Sequence, residues 1–310
     1  MIELRPVRTA EDRELYVAVR NAMHPDTPLS VEAHFSSSRQ DDRADLLAYL
    51  DGQPVGTATG RRHFEDRDSR FATVSVRVRR EARRRGVGTA LFAAISEHAR
   101  SIGRTGLYTI VRLDDADSRD YLGRRGFEEV FRVEEVALSL DGAEADATPP
   151  DGVTLVPFDP ELDERVHPVA LEVDRDRPAY VPIAPLAFDA WRDRVLGPGV
   201  LRDLSVVALA GDEVVGYAVL GEDAPGTAED WFTGVRRDWR GRGLGRALKA
   251  AQVDAAQRAG LRELRASIEA VNIPLRRICE RLGYRPRLTW LDLAGPLLLA
   301  GSSVGQQRHR

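Results

Sequence analysis

The hexapeptide Arg83-Arg84-Arg85-Gly86-Val87-Gly88 returns later in the chain as Arg240-Gly241-Arg242-Gly243-Leu244-Gly245, and this repetition narrows the possible folds most. Each copy reads Arg-x-x-Gly-x-Gly and follows a valine, Val78 or Val235, that closes an apolar strand. Each runs on into an amphipathic helix, beginning Thr89-Ala90-Leu91-Phe92 in the first and Arg246-Ala247-Leu248-Lys249 in the second. A strand, a Gly-rich turn and a helix start gather free backbone N–H groups at the positive end of a helix dipole. Such a place suits a phosphate or pyrophosphate. The glycines let a ligand approach the main chain closely, and the arginine adds charge.

The repetition extends beyond the loop. Ile2–Val7 answers Val153–Phe158, Asp51–Gly56 answers Gly211–Gly216, and Arg125-Gly126-Phe127 answers Leu282-Gly283-Tyr284. Landmarks in one order at a nearly constant offset indicate two copies of one domain. The expected division is 1–140 and 153–310, joined by the small, polar, proline-bearing stretch 141–152. Each copy, at roughly 150 residues, is long enough to bury a full core.

Composition excludes several classes. Six arginines fall between Arg77 and Arg85, yet the whole chain carries a formal charge of −4. That argues against nucleic acid, which needs a broad basic surface. Cys279 is the sole cysteine, so no internal disulfide forms. The start Met1-Ile2-Glu3-Leu4-Arg5 has no signal-peptide pattern, and the apolar stretch Gly295–Ala300 is far too short to span a bilayer. The six histidines show no metal-ligand spacing. The expectation is a cytoplasmic protein, monomer or homodimer, with no metal, nucleic-acid or membrane partner.

Both halves share one coarse layout. A first strand (Ile2–Val7; Val153–Phe158) leads to helices (Ala10–Met23; Pro160–Val173, then Pro185–Val195). Hairpin strands follow, Asp45–Leu50 with Val55–Gly60 and Ser205–Ala210 with Val214–Leu220. After the motif strand and its helix come a strand (Gly106–Val111; Glu263–Ile268) and a short helix (Asp117–Arg125; Pro274–Leu282). Closing strands are expected over Val130–Leu140 and Leu288–Leu293. Antiparallel strands followed by a strand–helix–strand crossover give an α/β (α+β) fold with a mixed sheet flanked by helices.

Val-x-x-x-x-Arg-x-x-Gly-x-Gly before a helix, then a second short helix ending in Arg-Gly-Phe or Leu-Gly-Tyr, resembles the GNAT superfamily of acetyltransferases. The resemblance covers nearly the whole chain and looks like the tandem GNAT proteins common in actinobacteria. It implies two tandem domains, each a mostly antiparallel sheet with a central splayed strand pair. It also implies acetyl-CoA as donor, its pyrophosphate on the loop amides: Arg240, Gly241, Arg242, Gly243, Leu244, Gly245 and Arg246 in the second copy. In the first copy the matching residues are Arg83, Arg84, Arg85, Gly86, Val87, Gly88 and Thr89. A bulge would splay the motif strand, and a backbone N–H near Val78 or Val235 would hold the thioester carbonyl.

The chemistry requires a base for an amine, an oxyanion donor and an acid for the departing thiolate. Family members often use a carboxylate on the motif strand as base. Asp230, five residues before Val235, is the candidate here, with its neighbour Glu229 as fallback because alternation sends the two to opposite faces. The tyrosine that often serves as acid is missing: four residues before Gly283 stands Cys279, and four before Gly126 stands Leu122. Cys279 can protonate a thiolate in principle, but a lone cysteine on a short helix also suits packing. Asn272 falls where the family places an asparagine on the pantetheine arm; it equally suits a helix N-cap. The first copy has Thr73 five residues before Val78 and no asparagine in Leu113–Asp117, so it is expected to bind CoA but to be weak or inert in catalysis.

The reading is an acetyl-CoA-dependent N-acetyltransferase that acts on a primary amine of a small molecule by direct attack in a ternary complex. One alternative is a mycothiol-synthase-like acetyltransferase, against which stand the missing tyrosine and Ile268 and Cys279 at diagnostic positions. Another is a non-catalytic acetyl-CoA-binding regulatory module.

Overall fold

The structure, a computed structural model, describes residues 1–25, 28–35, 42–63, 68–180 and 183–298. Two compact units divide the chain. The first holds residues 1–111, 115–130 and the end of the chain from Asp292; the second holds 112–114 and 131–291.

In the first unit, strand β1 (Ile2–Pro6) precedes helices α1 (Ala10–Met23) and α2 (Val31–Phe35). Thr9 starts α1 with a capping box: its hydroxyl accepts from Asp12 N–H while the Asp12 carboxylate takes the Thr9 N–H. Strands β2 (Ala44–Leu50), β3 (Gln53–Arg62) and β4 (Phe71–Val78) form an antiparallel meander. Helix α3 (Val87–Ser101) then leads to β5 (Gly106–Arg112), parallel to β4, and to helix α4 (Ala116–Gly123). The sheet order is β1-β2-β3-β4-β5, continued by chain-terminal residues from Asp292. Helix α1 buries Tyr16, Val17 and Val19 against Leu47 and Tyr49 on one face. On the other face α3 buries Leu91, Phe92 and Ile95. Close approach there needs Gly56, whose added Cβ would stand 2.8 Å from Arg77 O and 3.2 Å from Leu91 Cδ1.

Strand β6 (Glu128–Ser139) enters the second unit, which continues with β7 (Val153–Pro157), α5 (Asp163–Asp176) and α6 (Phe188–Val195). There follow β8 (Val206–Ala210), β9 (Glu213–Glu222), β10 (Thr227–Val235), α7 (Leu244–Arg258), β11 (Glu263–Glu269), α8 (Ile273–Arg281) and β12 (Arg285–Pro296). Here the order runs from the first part of β12 through β6-β11-β10-β9-β8 to β7. Only β10 and β11 are parallel among the pairs β7–β8, β8–β9, β9–β10, β10–β11 and β11–β6. Each unit is thus a mixed sheet flanked by helices, as the patterning implied. The strand that pairs with β11 is β6, from before the proline-bearing connection (Glu263↔Ser139 to Glu269↔Val133). That connection is docked: Ala143, Ala145 and Ala147 pack on the core beneath α7, and Gln257 Nε2 donates to Leu140 O and Ala143 O at 3.0 and 2.8 Å.

Most elements lie within one to three residues of their expected bounds. The expected helix over Pro160–Val173 divides into a tight turn at Pro160–Leu162 and α5, and α2 had no sequence signal. Among the described residues no helix is long and apolar enough to cross a membrane.

Candidate active site

Both loops have the geometry that their glycines permit. In the second unit Gly241 and Gly243 have φ of 77° and 87°, in the left-handed region that side chains disfavour. In the first, Gly86 has φ 87°, but Arg84 stands at φ 62° where its counterpart is a glycine. Gly243 and Gly86 are the N-caps of α7 and α3; neither helix has a side-chain cap or an acid in its first turn. The first amide of α7 to bond back is that of Ala247, to Gly243 O at 3.1 Å, so the earlier ones face out of the helix end. Such an end is complementary to a pyrophosphate.

The motif arginines brace the loops. Arg240 Nε donates to Val235 O at 2.9 Å and its Nη1 to Asp176 at 2.7 Å. Arg83 repeats this with Val78 O and Asp117, both at 3.2 Å. Beside α7, Arg246 pairs with Asp146 at 3.1 Å, and these two with Glu144 and Arg281 line a groove of about 670 Å³. Asn272 is the N-cap of α8: its Oδ1 accepts from Leu275 N–H at 3.3 Å, while its Nδ2 donates to Glu269 at 3.4 Å.

Strand β10 parts from β11 after Asp230, since the parallel pairing runs only from Thr227↔Glu263 to Asp230↔Ala266. The β9–β10 register slips between Asp230 and Phe232, a bulge at Trp231. One extra residue flips every side chain before it to the opposite face. Beyond the bulge Val235 faces α7 and Gly234 faces Val173 of α5. Counting back from Val235 without the bulge puts Asp230 on the α5 face; with it, Asp230 turns under α7. There Lys249 Nζ donates to its Oδ2 at 2.6 Å, and Thr233 Oγ1 lies 2.9 Å from both carboxylate oxygens. The side chains of Lys249 and Asp230 are 0% and 5% exposed. Burial alone would lower the Lys249 pKa, but the adjacent carboxylate outweighs it and holds the ammonium charged. This carboxylate is therefore occupied as the counter-ion of a buried lysine.

Glu229 faces the other way. Its Oε1 accepts from Ser267 Oγ on β11 at 3.1 Å, and Ser267 stands opposite Glu135 of β6. Burial pushes the Glu229 carboxyl above the ordinary carboxylate range; the Ser267 hydroxyl opposes this, while Asp223 and Glu135 reinforce it. In the first unit Thr73 pairs with Tyr108 as Glu229 pairs with Arg265, so Thr73 matches Glu229, and Val74 matches Asp230. The β3–β4 register there shows no slip.

Cys279 is 1% exposed in the core with Tyr284 and Leu282. Burial raises its thiol pKa and Lys249 only partly opposes that, so the thiol stays protonated at neutral pH. Its neighbour Ile278 lies beside Gly245, as Tyr121 lies beside Gly88 in the first unit, with the Tyr121 hydroxyl 3.5 Å from a Cβ built there. Sequence reasoning missed Lys249, Thr233 and Ser267. Lys249 did leave a signal, a lone amine at helical spacing among Val253 and Ala256, since a buried charge needs a partner.

Two splayed sheets, each ending in a Gly-rich helix start, define an acetyltransferase architecture. The Acetyltransferase (GNAT) family profile matches residues 9–127 and again 170–284, and the chain belongs to that family. It is 27% identical over 249 residues to mycothiol acetyltransferase from Actinosynnema mirum, covering 78% of this chain and 80% of the relative. Among solved structures it resembles a GCN5-related N-acetyltransferase from Sphaerobacter thermophilus (TM-score 0.73, 21% identity, 96% of each chain). It also resembles a tandem GNAT protein from the clavulanic acid biosynthesis pathway (TM-score 0.73, 20% identity, 97% of this chain and all of the other). At those identities the two structures establish the tandem fold.

Proposed function

We propose that the protein is an acetyl-CoA-dependent N-acetyltransferase for a primary amine of a small molecule, with the second copy as the catalytic one. The observation that carries this reading is the combination found in the second unit: a bulged, splayed β10, a loop with both left-handed positions filled by glycine, and a raised carboxyl at the splay. Acetyl-CoA supplies an activated acetyl carbonyl. The amides of Leu244, Gly245 and Arg246 suit its pyrophosphate, with Arg240 holding the loop and Asn272 Nδ2, which gives one hydrogen to Glu269, having a second to offer the pantetheine arm. Glu229, not Asp230, is the base: it takes the amine proton as nitrogen attacks, and its raised pKa brings it nearer to working pH. Cys279 supports the core, and the thiolate leaves without a dedicated acid.

The first copy binds CoA without carrying the main reaction, having Thr73 at the position of Glu229. The relative from Actinosynnema mirum favours a second reading, in which the acceptor is related to mycothiol. Thiol release from acetyl-CoA, measured over polyamines, aminoglycosides, amino acids, peptides and mycothiol precursors, tests both. Turnover on one amine supports catalysis; binding of acetyl-CoA with no turnover on any acceptor would favour a regulatory module.

A further inference from the structure

Arg77, first of the six clustered arginines, lies on β4 beyond Thr73, where β4 has left β5. The antiparallel register sets it directly across from Thr57 of β3, so the two side chains share the face that packs under α1. That face is fixed by Tyr16 of α1, whose hydroxyl sits 2.6 Å from Thr59 Oγ1. Arg20, one helical turn further along α1 and 8% exposed, projects to the same side. Half-buried Arg77 makes no side-chain hydrogen bond or ion pair among the described residues. Thr57 is 0% exposed, and its Oγ1 likewise has no partner. The carboxylate of this face, Asp45, is already taken by Arg43 at 2.6 Å and by the Thr59 hydroxyl at 2.6 Å.

In the second unit the equivalent pair is Tyr217↔Gly234. There the space is closed: a Cβ on Gly234 would meet Val173 at 2.7 Å and Tyr217 at 3.0 Å. The first unit thus keeps a cation and a hydroxyl where its sister has packed carbon. A buried hydroxyl without a partner is expensive in a folded protein unless something satisfies it, and the half-buried Arg77 guanidinium across from it has no paired anion among the described residues. Burial lowers the Arg77 pKa and Tyr16 only partly opposes it, while Arg77 in turn adds to the effect of burial on Arg20.

We propose that the first unit binds a small carboxylate-bearing molecule in the wedge between β4 and β5, its carboxylate on the Arg77 guanidinium and Thr57 Oγ1. The planar guanidinium offers two parallel donors to a carboxylate, and the hydroxyl is a third. A monoanion matches the one uncompensated charge of Arg77. The site does not depend on the assignment of the acetyl-CoA loops.

The test uses the full chain with N-acetylglycine and inorganic phosphate as probes, read by titration calorimetry and thermal unfolding. N-acetylglycine should bind the wild type and raise its Tm, and Arg77→Met should weaken that binding by at least ~10-fold. Arg77→Lys and Thr57→Val should each weaken it by a smaller factor. Without ligand, Arg77→Met should melt at or above the wild-type temperature, because it removes a charge with no counter-ion. Four results would overturn the proposal: no N-acetylglycine binding to the wild type, unchanged affinity in Arg77→Met, phosphate held more tightly than N-acetylglycine through Arg77, or a lowered Tm of ligand-free Arg77→Met, which would make the arginine a structural residue.

Discussion

Asp230→Asn is the substitution that best separates structure from catalysis in the second unit. The variant preserves side-chain shape but removes the charge facing Lys249, whose ammonium is 0% exposed and 2.6 Å from the carboxylate. Solvent screening does not soften the loss at such burial. Breaking a buried pair by removing one partner costs about 3–5 kcal/mol, because it leaves an uncompensated buried charge. For a unit of this size each kcal/mol moves Tm by roughly 2–4 °C, so the second unit should melt ~6–20 °C lower. Asp230→Leu with Lys249→Met removes both charges and should recover most of that loss. Glu229→Gln should behave in the opposite way, with melting temperature kept and kcat lowered ~10²-fold. Differential scanning calorimetry and thiol-release kinetics on the same samples decide the matter. An Asp230→Asn protein with wild-type Tm and a 100-fold lower kcat would refute the reasoning and restore Asp230 as base.

Four other outcomes follow from the geometry. Gly243→Asp places a carboxylate at the α7 amides and should weaken acetyl-CoA binding at least ~10-fold by calorimetry, whereas Gly86→Asp should leave maximal turnover within a few-fold; the reverse pattern would make the first copy the catalyst. Glu229 works only when ionised and its pKa is raised, so kcat/KM should fall as pH drops through a value above 4.5, a limb that Glu229→Gln should lose. A folded-state pKa raised above the unfolded one gives stability that is lost as pH rises, so Glu229→Gln should equal or exceed wild-type stability at pH 7 by denaturant titration. Arg84→Gly relieves a left-handed arginine at φ 62° and should be neutral or stabilising by up to about 1 kcal/mol, while Gly241→Ala should cost ~1 kcal/mol.

Much of this was legible from periodicity and loop chemistry. The helix over Ala10–Met23 has the bounds that were expected, and the Thr9–Asp12 capping box that fixes its start is itself local in sequence. The two loops were legible because Arg-x-x-Gly-x-Gly is a local signal: its φ angles, its bracing arginine and its uncapped helix all lie within a few residues. Which face each strand residue occupies was harder. Alternation correctly separated Glu229 from Asp230, but which of them looks into the cleft depends on a bulge at Trp231 that has no signature in residue type. Long-range pairing was harder still: nothing local in Val133–Ser139 distinguishes a partner strand within its own half from β11. Lys249 was passed over because a lysine on a helix is ordinarily solvated.

The two copies, compared position by position, show what the buried pair does. Where the second unit has Asp230, Lys249, Gln252, Cys279 and Tyr284, the first has Val74, Phe92, Ile95, Leu122 and Phe127, all buried. Phe92 and Phe127 pack edge to face at 5.6 Å, so the same fold closes its core there with carbon alone. The ion pair is therefore no requirement of the fold, in keeping with the general result that hydrophobic replacements of buried pairs are neutral or better. What the second unit has besides is the bulge, and Asp230 and Thr233 bracket it. The Thr233 hydroxyl reaches both oxygens of the carboxylate that Lys249 anchors, tying the chain together across Trp231. At the equivalent place on β4 the first unit has no bulge against β3 and, among the described residues, Val74 and Phe92 where the ion pair would be. A buried charge pair is thus kept where the strand must hold one extra residue, and that residue turns Glu229 to the face opposite α7, where Ser267 meets it.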